Sequence, residues 1–258
     1  MEALNARIEK LLFAGPRKGA ATATVIGSGG KTSLIWHLAG YFAAQAGRKV
    51  LVTPTTKMLV PAPEGKPGKQ LYDRYYNHNE GGFIPEPGIT LAGCFNESSG
   101  KLEGLPGEVL EEAVSGCDIA LIEGDGAKGL PLKAWDDYEP VVPPFTTLTI
   151  GVLPIWPLGK PLTGEIAHRL PLFCGLTGAV QGEPLKPEHI AALITGGKTR
   201  SGLFAKARGE KLLFFSQIED EQALKRAKEI AGLLPAGFRE GLCGVIAGSV
   251  LNGRVFDV

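Results

Sequence analysis

Ala23 to Leu34 reads ATVIGSGGKTSL, and this stretch decides how the whole chain is read. A β-branched run, AATATVI, breaks off at the glycines of GSGG and gives way to KTSLIWHLAGYFAAQAG, which has the length and composition of a helix closed by Gly47. Holding a polyphosphate takes a strand that stops abruptly, glycines that let main-chain N–H groups turn inward, and a lysine and a hydroxyl at the mouth of a helix. Gly27, Ser28, Gly29, Gly30, Lys31, Thr32 and Ser33 supply these in order and are the candidate nucleotide-binding residues. Lys31 is expected to reach the β and γ phosphates and Thr32 to hold Mg²⁺, with the partial positive charge of the helix N-terminus behind them.

The full pattern G-x-x-x-x-G-K-[ST] asks for glycine where Val25 stands. The shorter loop is similar to the variant loops of Mur-ligase-type NTPases, in which a glycine four before the lysine suffices, and Gly27 fills that place. A second GGKT, Gly196 to Thr199, lacks the context: EHIAALIT before it reads as a helix that Gly196 and Gly197 stop, and RSGLF after it is a poor helix opening.

An NTPase also needs a carboxylate at the end of a neighbouring apolar strand. CDIALIEGDG is the most strand-like run in the chain and ends in Glu123 and Asp125. Their spacing points both side chains the same way in extended backbone, so either can meet Mg²⁺ or orient an attacking group. Both are candidate metal and catalytic residues alongside Lys31, and the spacing does not choose between them. VTPTTKML ends another strand in Thr55, Thr56 and Lys57, where Lys57 is a catalytic candidate as a γ-phosphate or substrate sensor, or else a solvated surface charge.

Further strands are expected at KVLVT, GITLAG, TTLTIGVL, KLLFFSQ and LCGVIAGSV, and helices at residues 2 to 13, GEVLEEAVSG and DEQALKRAKEIAGLL. Strands alternating with helices predict an α/β fold: a mainly parallel sheet with helices on both faces, a P-loop NTPase-like three-layer sandwich. Residues 1–258 are read as a single domain, with a Pro-, Gly- and charge-rich excursion from the sheet at about 61–88. Twenty-seven basic residues balance twenty-seven acidic ones, which argues against a nucleic-acid surface. The four cysteines stand far apart and read as reduced thiols, and the four histidines show no ligand spacing. Trp135 and Trp156 are assigned to the core, and His168 with Arg169 to a loop opposite the phosphates. LLFAG is too short for a signal sequence and no run suits a membrane helix, so a cytoplasmic location without membrane partners is the expectation.

GSGGKTS, TPTTKM and EGDGAKGLPLKAWDDYEPVVP together resemble the YqeC-type family of selenium-dependent molybdenum hydroxylase accessory proteins, over about Ala20 to Thr163. The resemblance implies a P-loop NTPase binding nucleotide at Gly27 to Thr32, and it draws attention to Lys57, Glu123, Asp125, Gly126, Lys133, Glu139 and Pro140. Where the family pattern has histidine before EP, this chain has Tyr138. The implied cofactors are Mg²⁺ and ATP, with GTP as the alternative, because SQIE at Ser216 to Glu219 departs from the guanine-reading N-K-x-D. A molybdenum hydroxylase or its cofactor is the implied partner. Two functions stay open: an Mg-dependent ATPase or phosphoryl-transfer enzyme, and a non-catalytic, nucleotide-gated chaperone.

Overall fold

The computed structural model describes residues 2–14, 19–59, 71–78, 82–197 and 201–258. In chain order the elements are α1 (Glu2–Leu12), β1 (Ala21–Gly27), α2 (Lys31–Ala43), β2 (Lys49–Pro54), β3 (Lys57–Leu59), β4 (Arg74–Asn77), β5 (Gly88–Asn96) and β6 (Lys101–Glu103). They continue with α3 (Gly107–Ser115), β7 (Ile119–Glu123), β8 (Leu132–Lys133), β9 (Leu148–Pro154), β10 (Ala167–His168), α4 (Leu170–Thr177) and α5 (Pro187–Thr195). The chain ends with β11 (Glu210–Ser216), α6 (Glu221–Leu233), α7 (Ala236–Glu240), β12 (Gly244–Ser249) and β13 (Arg254–Asp257).

The main sheet runs β13-β12-β11-β9-β1-β7-β2-β5-β6-β3, with β4 added beside β5. Pairing is parallel from β12 to β5, while β13, β6 and β3 join antiparallel. A parallel sheet covered on both faces must be apolar on both, which is why β1, β7 and β9 are buried along their whole length. Ala21, Ala23 and Val25 face one way and pack with Leu4, Ile8 and Leu12 of α1 and with α2. Ile26, Leu213 and Phe215 face the other way, into a second core built with α4, α5 and α6, while α3 covers Leu51, Ala120 and Ile122. Each fully buried aliphatic side chain contributes about 1.5–3 kcal/mol, so these layers fix the sheet rigidly under its loops. The result is the expected mainly parallel, three-layer α/β sandwich.

Local signals work as chemistry requires. The Asp220 carboxylate accepts from Ala223 N at 2.7 Å and starts α6. α2 stops at Ala43, short of Gly47, which instead serves the turn into β2 with φ of 77°. Residues 74–77, expected to leave the sheet, rejoin it as β4, because Asp73 accepts from Ile89 N at 2.7 Å and pins the strand beside β5. Of that excursion, residues 61–70 and 79–81 lie outside the described residues. The four cysteines are free thiols, and burial pushes the Cys117 thiol up to about 12.

Register brings the functional strand ends to one edge. Gly27 pairs with Val152, Pro54 with Glu123, and Ser216 with Pro154, so β1, β2, β7, β9 and β11 all stop at the same level. Ligands on such sheets bind at this carboxyl edge.

Candidate functional site

The loop between β1 and α2 is shorter than the full phosphate-loop pattern because β1 simply continues through Val25. That valine is fully buried within the strand, so it stands clear of the loop. The turn begins at Gly27, where φ is 102° and an added Cβ would sit 2.1 Å from Val152 O. At Gly29, φ is 65° and a Cβ would lie 2.4 Å from the Pro154 ring. Only glycine fits at either place.

The direction of the amides follows. Ser28 N donates to Val152 O at 2.9 Å and Gly27 N to the Asp125 carboxylate. Among the described residues none of the main-chain amides of Gly29, Gly30, Lys31, Thr32 and Ser33 has an acceptor in the chain, and α2 has no side-chain cap. These N–H groups gather at the positive end of a thirteen-residue helix. The Ser28 hydroxyl, fully buried at the same turn, also has no partner.

The two acidic residues take different places. Glu123 ends β7 directly beside β1, and its Oε2 accepts from Thr32 Oγ1 at 2.7 Å. Burial raises its pKa, against the pull of Lys31 and the Thr32 hydrogen bond. Asp125 is wholly buried, and both its oxygens are occupied. Oδ1 accepts from Gly27 N at 3.1 Å and faces Lys31 Nζ at 3.3 Å; Oδ2 accepts from Gly27 N at 3.1 Å and Trp135 Nε1 at 2.6 Å and faces Lys133 Nζ at 3.1 Å. Lys31 also donates to Gly27 O at 2.7 Å. Burial lowers its pKa, but Asp125 and Glu123 together outweigh that and raise it, so the ammonium stays charged inside the loop.

Lys133, which is fully buried, carries the network outward. It donates to Gly126 O at 2.6 Å and to Glu139 Oε2 at 2.8 Å, and the same Glu139 oxygen accepts from Arg169 Nη1 at 2.8 Å. Burial pushes the Glu139 carboxyl up, yet the hydrogen bonds from Lys133 and Arg169 win and hold it below the ordinary carboxylate value. Arg169 Nη2 donates to Tyr138 OH at 2.7 Å. Five ionised side chains thus run unbroken from Lys31 through Asp125, Lys133 and Glu139 to Arg169.

Lys31, Glu139 and Arg169 of this network line a cleft of about 1210 Å³ that also contains Gly29 to Ser33, Glu123, Lys57 and Lys128, while Asp125 and Lys133 are fully buried and do not line it. Lys57 stands at the rim, exposed, paired with Glu103 at 2.8 Å. Thr55 Oγ1 donates to Val141 O at 2.8 Å, whereas the buried Thr56 hydroxyl has no partner and lines the cleft. His168 and Arg169 line it too, in the loop region expected from the sequence.

On the other side of the loop, Ser216 Oγ and Gln217 Nε2 donate to Gly29 O at 2.5 and 3.3 Å. Gln217 also borders a smaller cavity of about 370 Å³ with Trp156, Glu219 and Arg226. Trp156 is therefore not core: it is 38% exposed, with Lys160 over its ring at 4.2 Å. Trp135 is core and also a hydrogen-bond donor to the site. In the second GGKT, Gly196 has φ of 90° and donates to Ala192 O, ending α5 as expected, while Lys198 and Thr199 lie outside the described residues.

Reading residues one by one missed that Trp135 holds Asp125 and that Lys128 joins the cleft wall. The A-K-G turn after EGDG was the available signal for Lys128. Among the described residues no helix is long and apolar enough to cross a membrane.

A sequence model of the family described as YqeC protein matches residues 23–171, which spans the phosphate-type loop, both acidic residues, Lys133, Glu139 and Arg169. The uncharacterized protein YqeC of Escherichia coli (strain K12) is 33% identical over 187 residues, covering 70% of each chain.

Proposed function

The chain belongs to the YqeC family, and we propose that it is a P-loop protein that binds an Mg-nucleotide, ATP in preference to GTP, and acts as an ATPase or phosphoryl-transfer enzyme. The observation that carries this reading is the row of acceptor-free amides from Gly29 to Ser33, closed by a buried, charged Lys31. Five acceptor-free amide donors gathered at a helix N-terminus beside an ammonium suit a polyphosphate.

Mg²⁺ typically takes one or two protein ligands and fills the rest with water and phosphate oxygens, and the Thr32–Glu123 pair is a donor set of that kind. In this reading Thr32 and Glu123 would hold the ion, which would supply positive charge to screen the terminal phosphates. Lys31 neutralises charge developing on the β and γ oxygens. Asp125 acts through Lys31 and Gly27, fixing both by its hydrogen bonds and charge. The nucleotide's ring falls toward the cavity bordered by Gln217 and Trp156, since Gln217 also donates to Gly29 O. We infer that this activity serves maturation of a selenium-dependent molybdenum hydroxylase or its cofactor, a reading supported by the resemblance of GSGGKTS, TPTTKM and EGDGAKGLPLKAWDDYEPVVP to that family.

The ion network favours one further reading, a nucleotide-gated binding module, because any movement of Lys31 toward phosphate disturbs Asp125 and through it the far wall. Turnover separates the two readings. The shared premise is tested with Lys31→Ala: the wild type should show a melting-temperature rise with Mg-ATP that the variant lacks. An equal rise in both proteins would overturn the phosphate-loop reading.

A further inference from the structure

Lys128, Arg169 and Gln217 are the described non-glycine residues with left-handed backbone, at φ of 51°, 58° and 60°. All three line the main cleft. Glycine would remove the strain at each place, yet two of the three carry a cation. Such strain persists where the surroundings hold the residue for the sake of its side chain.

The charges around this wall do not cancel. Glu139 Oε2 serves Lys133 and Arg169 together, so one carboxylate faces two cations. Lys128 and Lys101, both on the cleft, have no carboxylate partner among the described residues. His168 lines the same cleft, and its pKa is lowered by burial and then by the charges of Arg169, Lys128 and Lys133. Arg169, Lys128 and Lys101 thus line the cleft with His168, and the acid beside Arg169 is already shared. The cleft, at about 1210 Å³, exceeds the roughly 300–1,000 Å³ of ordinary small-molecule sites, which leaves room beside a nucleotide.

We propose that Lys128, His168 and Arg169 form the binding wall for a second small-molecule ligand that carries an anionic group, phosphate or carboxylate, and lies beside the nucleotide. This rests on the phosphate-loop reading, since it assigns the nucleotide to the other half of the cleft. Arg169 offers a guanidinium whose orientation is fixed by Glu139, Tyr138 OH and Ala134 O at 3.2 Å, so little freedom is lost when an anion docks. Lys128 adds an unpaired ammonium.

The test loads the full chain with Mg²⁺ and a non-hydrolysable ATP analogue, so that the phosphate loop is filled, and then titrates inorganic phosphate and, separately, succinate by calorimetry. The wild type should bind one of them saturably, and which one binds tighter names the group. Lys128→Gly should weaken that binding at least tenfold while leaving the apo melting temperature at or above that of the wild type, and Lys128→Arg should restore it. A purely structural lysine predicts no such split.

Saturable binding in Lys128→Gly equal to the wild type would overturn the proposal, as would binding of neither anion to the nucleotide-loaded wild type. Failure of the wild type to take up the Mg-nucleotide analogue at the outset would instead overturn the phosphate-loop reading and this inference with it.

Discussion

Replacing Asp125 by asparagine removes one charge and changes almost no volume, and the structure says it will be among the most damaging substitutions in the chain. Oδ1 meets Gly27 N and Lys31 Nζ, while Oδ2 meets Gly27 N, Trp135 Nε1 and Lys133 Nζ. Whichever way the new amide is turned, its NH₂ group faces an ammonium. The two lysines, 5% and 0% exposed, then share a site with one acid fewer. Leaving a buried charge uncompensated costs about 3–5 kcal/mol. For a chain of this size each kcal/mol lowers Tm by roughly 2–4 °C, so Asp125→Asn should melt roughly 6–20 °C below the wild type. Urea denaturation should show the same loss as a lower midpoint at unchanged slope. Affinity for Mg-ATP should fall with it, because Gly27 and Lys31 lose their common anchor. A variant within about 1 kcal/mol of the wild type would refute the claim that Asp125 holds this site together.

Glu123→Gln should behave oppositely: glutamine keeps an acceptor for Thr32, so stability changes by no more than about 1 kcal/mol, while the Mg²⁺ dependence of nucleotide binding, read by titration with and without the ion, is lost. Gly27→Ala combines an unfavourable φ of 102° with a Cβ 2.1 Å from Val152 O; thermal unfolding should register about 2–6 kcal/mol of lost stability. Glu139 has a folded-state pKa below its ordinary 4.5, so its contribution is present above that value and is lost as pH falls through the lower folded value. The stability gap between the wild type and Glu139→Gln should therefore be full at neutral pH and close in acid, as urea midpoints across the acid range will show.

The layers were legible in the sequence because a buried parallel strand has to be a continuous apolar run, and ATATVIG, IALIE and LTIGVLP each are. The turn was legible for a similar reason: the apolar run breaks off at the glycines of GSGG and a helical stretch follows directly. Edge elements were not. β4, β3 with β6, and β13 are half exposed and short, so neither alternation nor a long apolar run marks them. The site was legible only as far as its backbone. Spacing showed that Glu123 and Asp125 share a direction, but the one finds a hydroxyl and the other two buried ammoniums and an indole. That difference depends on Lys133 and Trp135, which reach the site through a short strand, β8, paired with β10. Residues that meet across two strands of two residues each leave no periodic trace.

The same network gives the phosphate-loop reading its physical sense. A lysine free in solution loses rotamer freedom when it closes on phosphate, a cost of up to about 2 kcal/mol. Lys31 has already lost it, held by Gly27 O at 2.7 Å and by Asp125 at 3.3 Å. Asp125 can hold it without cancelling it, because its second oxygen is committed to Lys133, and Lys133 in turn leans on Glu139. Through Lys31, Lys133 and Arg169, three cations share the two carboxylates Asp125 and Glu139, so the chain of pairs carries one positive charge in excess. Lys31 and Arg169, the two ends of that chain, line the cleft together with the acceptor-free amides of Gly29 to Ser33. On the proposed phosphate-loop reading, an arriving polyphosphate would meet an ordered cation and a preformed set of donors, with most of the ordering cost already met by folding.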